Sequence, residues 1–431
     1  MKFAFRAILS GGALAAAPVL AQPAGPSPLT LAEAHAIALR QHPRANAAQL
    51  QVEVSNALVQ ESRSAYLPTA NAYLTAVDAG NENTRILAGA MNNPSIYDRA
   101  AGGVAISQLL TDFGRTTNLT AGSKLEARAE GQNAAATRQR LLFEVDLSFF
   151  SALQARAILH VADQTLQARR YLVAQVSALA RNKLKSSLDV SFSQVAFEEA
   201  ELLRQRAAGD QEAAEAALSA DLGYPTEQHF QLADPSSAPD SLPDLAAALA
   251  AAHRDRPDLA RLSFERDAAR RFSRAENDLS GPTVTATGTV GDAPWRDSHL
   301  PEHYAAGGVN LSFPIFTGGL YGARQRAARL KADIAGQALR EAEDNADRDV
   351  RIAWVSLRTA GQRQTTAAQL VRHARDAYEL AQARYRAGSS SIVELSQAEV
   401  EQTSAEIGLA GARYGLMAAQ AALDYQTGAL K

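Results

Sequence analysis

Side chains able to do chemistry are thinly spread along this 431-residue chain, and none of their groupings completes a catalytic set. His299 and His303 have the spacing of two metal ligands on one helix face. However, Pro301 between them forbids that helix, and two nitrogen donors fall short of a zinc-type centre. The chain has no cysteine and only three methionines, so thiol chemistry, a disulfide framework and a soft-metal export path are all missing. Asp112-Phe113-Gly114 matches a kinase tripeptide, yet neither a glycine-rich loop nor a His-Arg-Asp accompanies it. No nucleotide-binding loop is present either, so any energy for work must come from another protein. The expectation is a protein that is not an enzyme and that needs no cofactor and no metal. A net charge of -3 gives no electrostatic case for nucleic acid as a partner. Two acids stand out by position: Asp189 and Glu394 each open a helical run just after a polar turn, where the helix dipole favours a carboxylate.

The elements behind those acids are unusually long. No proline occurs after Pro314, and Leu320 to Arg386 is rich in alanine, glutamine, arginine and glutamate, all good helix formers. Such a helix reaches about 100 Å at roughly 1.5 Å per residue, longer than a compact domain needs. A small-residue turn, Arg386-Ala387-Gly388-Ser389-Ser390-Ser391, then leads into a second helical run. The same object occurs earlier. Prolines are absent between Pro94 and Pro225, and a long run from Arg115 reaches the polar turn Arg181-Asn182-Lys183-Leu184-Lys185-Ser186-Ser187.

These are two copies of one unit. A shift of 205 residues lays Gly103-Val104-Ala105-Ile106-Ser107 on Gly308-Val309-Asn310-Leu311-Ser312, and the same shift lays Leu188-Asp189-Val190 on Val393-Glu394-Leu395. Equal spacing between the two anchors predicts long helices of equal length. Upstream the offset is 214, from Pro43 to Pro257 and from Pro68 to Pro282, so the first copy carries nine extra residues between its strands. Length variation of that kind belongs in an exposed loop. Thr30 and Glu33 have the spacing of a capping box at the start of the first helix. Ahead of it, Lys2 and Arg6, the small and apolar run Ala7 to Leu20, and Val19-Leu20-Ala21 read as a cleaved secretory signal peptide. The predicted organisation is a signal peptide over 1–21 and a first repeat over 22–223, with strands near 68–78 and 102–111, a long helix near 115–182 and a return helix near 188–222. A linker over 224–244 follows. The second repeat spans 245–431, with strands near 282–290 and 305–314, a long helix near 320–386 and a return helix near 392–427.

Thr283-Val284-Thr285-Ala286-Thr287-Gly288-Thr289-Val290 alternates threonine with small or apolar residues, and Val309, Leu311 and Phe313 alternate with Asn310 and Ser312. In the first copy, Ala70, Ala72, Leu74 and Ala76 alternate with Asn71, Tyr73 and Thr75. Strands of about ten residues with one apolar face suit a tilted bilayer crossing with a wet lumen behind them. Four strands cannot close a barrel, and an open edge leaves backbone groups unpaired in lipid, so closure demands several chains. Three copies give twelve strands. Trp295, Tyr304 and Tyr97 are candidates for aromatics at the membrane interface. Trp354 and Leu147-Ser148-Phe149-Phe150 read most simply as packing residues.

Where strand hands over to long helix, the chain reads Leu110-Thr111-Asp112-Phe113-Gly114-Arg115 and Pro314-Ile315-Phe316-Thr317-Gly318-Gly319. Together with Ala383-Arg384-Tyr385-Arg386-Ala387-Gly388, Val393-Glu394-Leu395 and Leu188-Asp189-Val190, these segments resemble the TolC-type outer-membrane factors of Gram-negative bacteria. The resemblance covers essentially the whole mature chain. It implies a mainly α fold: long helical hairpins forming a periplasmic α-barrel, and four strands per chain contributing to a trimeric twelve-stranded transmembrane β-barrel. A belt of smaller elements would circle the middle. The strand connections, roughly Asp78 to Ala101 and Gly291 to Ala305, would face outside the cell, and the turns at Lys183 and Gly388 would lie at the periplasmic tip.

The resemblance also implies roles. The chain would be the homotrimeric exit duct of a tripartite efflux pump, passing small molecules such as drugs and held in outer-membrane lipid; the lack of cysteine argues separately against a lipid-anchored cysteine at the mature N-terminus. Its partners would be a periplasmic adaptor and an inner-membrane pump of RND, MFS or ABC type. The outer component of a type I secretion system is the alternative within this reading, and a periplasmic coiled-coil adaptor or scaffold is the alternative outside it. Asp189, Glu394, Tyr385 and Gln397 would form the periplasmic gate, the acids as rings of like charge that favour cations. Lys183, Ser186, Ser187, Gly388, Ser389, Ser390 and Ser391 would form the adaptor-docking tip. Two departures are visible: Ser390 stands where such proteins carry an arginine, and Gln397 where they carry a second acid. Both predict a lock that is weaker or differently wired.

Overall fold

The computed structural model describes residues 28–78, 99–235, 242–296 and 301–430. The expected signal peptide, Tyr97 and His299 lie outside the described residues. The first half runs α1 (Leu31–Gln41), α2 (Pro43–Ser64), β1 (Thr69–Val77), β2 (Arg99–Thr111), α3 (Arg115–Arg181) and α4 (Ser187–Asp221). The second half repeats it as α5 (Leu245–Asp255), α6 (Pro257–Asn277), a single 3-10 turn over Asp278–Ser280, β3 (Thr283–Arg296), β4 (His303–Ser312), α7 (Leu320–Arg386) and α8 (Ile392–Thr427). Both long helices, α3 and α7, contain 67 residues. The chain is mainly helical, with the internal two-fold repeat that the constant offset anticipates.

Local chemistry fixes the ends. Thr30 and Glu33 close the capping box ahead of α1. Pro43 and Pro257 occupy the first helical positions of α2 and α6, where the missing N–H has no intrahelical partner to lose. Among the described residues no helix is long and apolar enough to cross a membrane.

Helix α3 is the hub. Along its first half it packs on α2 and α6, as in the approach of Ser62 to Thr120 and of Phe272 to Gly122, and along its second half on α4 and α8. Helix α7 packs on α6 and then on α8. The main core sits near the midpoint of α3, where Leu141, Val145, Phe149, Phe150 and Leu153 meet Ala34, Ala38, Leu218, Leu222 and Met417. There the linker adds a parallel bridge between Leu232 and Leu29, and Trp354 donates its indole N–H to Pro243 O at 2.8 Å. Small elements are therefore gathered round the middle of the long helices.

The four strands form one antiparallel sheet in the order β1-β2-β3-β4, leaving β1 and β4 as open edges. Its register aligns the alternations. Tyr73 opposes Gly103, Ala105 opposes Thr289, Ser107 opposes Thr287, and Thr285 opposes Asn310, which gathers one polar face. Ala72 opposes Val104, Val104 opposes Val290, and Val284 opposes Leu311, which gathers one apolar face. That apolar face is uncovered in the isolated chain, with Leu74 89% exposed and Val309 68% exposed.

The strands outrun the sequence reading. β2 starts at Arg99 and β3 continues to Arg296, so most of the expected connection from Gly291 to Ala305 is strand. Pro294 hid this, because a proline breaks a strand pattern on paper. In the sheet it falls where the register slips between Gly102–Asp292 and Ala100–Trp295, a bulge that asks for no donor from it. His303, weighed as a metal ligand, is a β4 residue whose Nδ1 meets Asp292 Oδ1 at 2.5 Å. Tyr304 shares the polar face, lying against Gly103 and Gly291, whereas Trp295 shares the apolar face with Ala100 and is exposed.

One ion pair joins the two repeats below the core. Arg169 of α3, 3% exposed, has its Nε 3.1 Å from Glu399 Oε2 of α8, 6% exposed. That N–H makes no hydrogen bond, so the contact is ionic, and burial raises the Glu399 carboxyl pKa against the lowering effect of Arg169. Removing one partner strands the other charge in the interior. Glu399→Leu is therefore expected to cost about 3–5 kcal/mol, and Arg169→Met with Glu399→Leu to recover most of it. Denaturant midpoints of the two variants check this, and equal losses in both would contradict it.

Candidate functional site

Two places concentrate unusual local structure: the strand-to-helix junctions and the hairpin tips. At the first junction the chain reverses through two successive left-handed residues, Phe113 at φ 55° and Gly114 at φ 122°. Asp112 makes this possible by accepting from Thr116 N at 2.7 Å and from the Thr116 hydroxyl. At the second junction Pro314 follows β4 by two residues, and the reversal uses Gly318 at φ 61° and Gly319 at φ 83°. The same strand-to-helix step is thus solved twice by a consecutive pair of positive-φ residues. Beside these turns Phe113, Ile315 and Phe316 point away from the chain, the last two 92% and 88% exposed.

The two tips have a shared construction. Lys183 at φ 60° and Gly388 at φ 73° stand at the same place in the two turns, each ending a long helix. Leu184 N and Ser389 N bond back to Leu179 O and Arg384 O, satisfying carbonyls that the helix ends would leave orphaned. Gly388 supplies the positive φ that the second turn needs, and the first tip performs the same turn with a lysine. Ser186 and Ser391 are then N-caps of α4 and α8, accepting from Asp189 N at 3.1 Å and Glu394 N at 3.3 Å. Ser187 is the first residue of α4.

The candidate gate residues take unequal positions. Asp189 completes its capping box by accepting from Ser186 N and the Ser186 hydroxyl, which holds its carboxyl below the usual carboxylate range. Glu394 leaves its box open and instead pairs with Arg384 Nη1 at 2.8 Å. Gln397 donates to Glu401 Oε1 at 2.8 Å, an i, i+4 contact along α8. Tyr385 is 4% exposed among Val176, Ala381, Ile392 and Leu395, and burial raises its phenol pKa. Its hydroxyl and that of Ser390 are buried without a hydrogen-bond partner among the described residues.

One contact at the tips escaped the sequence reading. Lys185 Nζ, from the first turn, sits 4.0 Å from the centroid of the Tyr385 ring, from the second hairpin. This cation–π contact joins the two hairpins at their ends. Only the repeat could have hinted at it, since Lys185 takes the place of Ser390 under the 205-residue shift. A further cluster, Glu215, Glu227 and His229, brings its ligand atoms within 4.8 Å of one another, and His229 Nδ1 pairs with Glu215 Oε2 at 2.8 Å. It ties the linker to α4 and lies far along α4 from the tips.

The comparisons with known proteins agree with this geometry. A sequence model of the outer membrane efflux protein family matches residues 36–224 and 248–429, breaking at the linker between the repeats. No individual curated protein matches significantly. Among solved structures, a membrane protein from Pseudomonas aeruginosa shares 21% identity, covers 92% of this chain and 93% of its own, and superposes with a TM-score of 0.78. The open state of the Neisseria gonorrhoeae MtrE outer membrane channel shares 22% identity over 92% of this chain and 88% of its own, with a TM-score of 0.77. The Campylobacter jejuni CmeC outer membrane channel shares 16% identity over 92% and 85%, with a TM-score of 0.78. With its family profile spanning both repeats, this chain belongs to the outer membrane efflux protein family.

Proposed function

We propose that the chain is the homotrimeric outer-membrane exit duct of a tripartite efflux pump, working with a periplasmic adaptor and an inner-membrane pump. One observation carries this reading. A single chain builds a four-stranded sheet with one apolar face and two unpaired edges, at the end of two helices of 67 residues. A sheet of that kind is stable in lipid only when neighbouring copies supply the missing edges. Family membership supports the assignment to export of small molecules. Purified protein added to a planar bilayer is expected to give discrete ion-conducting steps. A protein that stays in water without detergent and never conducts would overturn the reading.

Within it, the tips are the gate and the docking end. The arginine and second acid missing at Ser390 and Gln397 are replaced by two other links: Lys185 on Tyr385 between the hairpins, and Arg384 with Glu394 within one. Lys185→Met removes the first link and is expected to raise the conductance of the resting channel several-fold. Arg384→Gln, which frees Glu394 without parting the hairpins, is expected to change it less. Equal conductance in Lys185→Met and wild type would remove this link from the gate.

Asp189 supplies the fixed charge of the mouth. Its folded pKa is depressed, so the stabilisation of the α4 start is present above the unfolded carboxylate pKa and lost only as pH falls through the lower folded value. Cation preference is therefore expected to persist until pH falls below about 4, the ordinary aspartate value, and to disappear in Asp189→Asn with Glu394→Gln. Reversal potentials across a salt gradient read this directly. An unchanged preference in the double variant would exclude both acids.

A further inference from the structure

Helices α6 and α7 enclose a groove of about 730 Å³ that five arginines line: Arg266, Arg270 and Arg274 from α6, Arg329 and Arg340 from α7. The α6 arginines are spaced one turn apart, where like charges repel. Asp267 pairs with Arg266 at 2.8 Å and reaches Arg270 at 3.5 Å, whereas Arg274, Arg329 and Arg340 have no carboxylate partner among the described residues. Asp333 and Glu343 also line the groove and leave it strongly positive. Gly336 and Ala332 keep its floor low.

Which side of the wall the groove faces follows from α7 itself. Ala328, Ala335 and Leu339 lie on its side facing α6, while Leu330 and Ile334 form an exposed apolar stripe beside Ala323 and Ala327. α2 carries a matching exposed stripe, Leu50, Val54 and Leu58. α2 precedes edge strand β1 and α7 follows edge strand β4, so in the proposed trimer these stripes would meet where one copy joins the next. At 3.6 residues per turn, the two contact faces of α7 are about 150° apart through Arg324 and Lys331, and about 210° apart through Arg329, Asp333 and Arg340. In a closed ring the narrower arc faces the axis, so the arginine groove opens on the outside. Arg274 lies about 5 Å of helix below the end of α6, and β3 begins at Thr283. The top of the groove is therefore just beneath the membrane-crossing sheet.

We propose that this groove binds the phosphate of an anionic phospholipid headgroup from the periplasmic leaflet, a site that rests on the trimeric outer-membrane reading. Arginine rather than lysine throughout suits it, because the guanidinium fork holds phosphate oxygens in pairs. Basic pockets at the edge of membrane-spanning segments recognise such headgroups. The bound lipid fixes the height of the helical barrel relative to the bilayer.

The test is native mass spectrometry of the full trimer released from detergent, after titration with short-chain phosphatidylglycerol or phosphatidylcholine of equal chain length. Wild type is expected to retain phosphatidylglycerol at least about tenfold better, and Arg270→Gln with Arg274→Gln and Arg329→Gln to lose about tenfold or more of that affinity. Phosphatidylcholine shares the phosphate but carries a trimethylammonium that the arginines repel, so its retention is expected to be weak in wild type and to differ little in the variant. An undiminished preference in the triple variant overturns the proposal. So does displacement by equimolar inorganic phosphate, or tighter binding of a soluble muropeptide, which would assign the groove to free anion or to cell-wall carboxylates. The same spectrum gives the oligomeric mass: a trimer without lipid rejects the groove alone, and a detergent-independent monomer rejects the membrane reading beneath it.

Discussion

Backbone pairing in a medium without water is the constraint on which this molecule turns. Every N–H and C=O inside hydrocarbon needs a partner from the protein, and a strand at the edge of a sheet has half of its groups unpaired. β1 and β4 are such edges, on a sheet whose apolar face has no core to cover it. On the proposed reading, sister copies supply the missing edges. The chain's long helices inherit the consequence, because α2 and α7, which flank the open edges in sequence, carry the exposed apolar stripes of Leu50, Val54 and Leu58 and of Leu330 and Ile334.

Duplication turns that constraint into a duct. Two copies of one hairpin-plus-helices unit share the same junction geometry, the same 67-residue helix and the same capped tip. Equal helices place both tips at one level, so residues from both copies can meet there, as Lys185 and Tyr385 do. The buried Arg169–Glu399 pair joins the copies further up, and Val176 packed among Tyr385, Ile392 and Leu395 joins them again close to the tips.

Much of this was legible in the sequence, for identifiable reasons. Missing prolines and a constant 205-residue offset disclosed the helices and their repetition, and strict threonine alternation disclosed the strands. What stayed hidden depends on positions that no local pattern encodes. The extension of β3 past Pro294 needs a bulge that only the partner strand reveals. Lys183 adopts a left-handed conformation that composition reserves for glycine, as its counterpart Gly388 illustrates. The links of Lys185 to Tyr385 and of Arg384 to Glu394 join residues across turns, so their pairing appears only once the helices are folded back. The acids at Asp189 and Glu394 were found by position, yet their different bonding, one in a capping box and one in an ion pair, was not.

The most direct measurement is disulfide capture between the edge strands. The natural chain has no cysteine, so any bond must join introduced ones. Within one chain β1 and β4 are about 14 Å apart, three strand spacings, too far to bridge. Asn71→Cys is combined in turn with Ala306→Cys, Gly308→Cys and Asn310→Cys, all on the polar face, and the membranes are oxidised and run on a non-reducing denaturing gel. Covalent dimers and trimers for at least one pair, absent from each single variant, are the predicted result. Monomer alone for every pair, in protein that is folded and membrane-bound, would contradict a wall completed by sister chains.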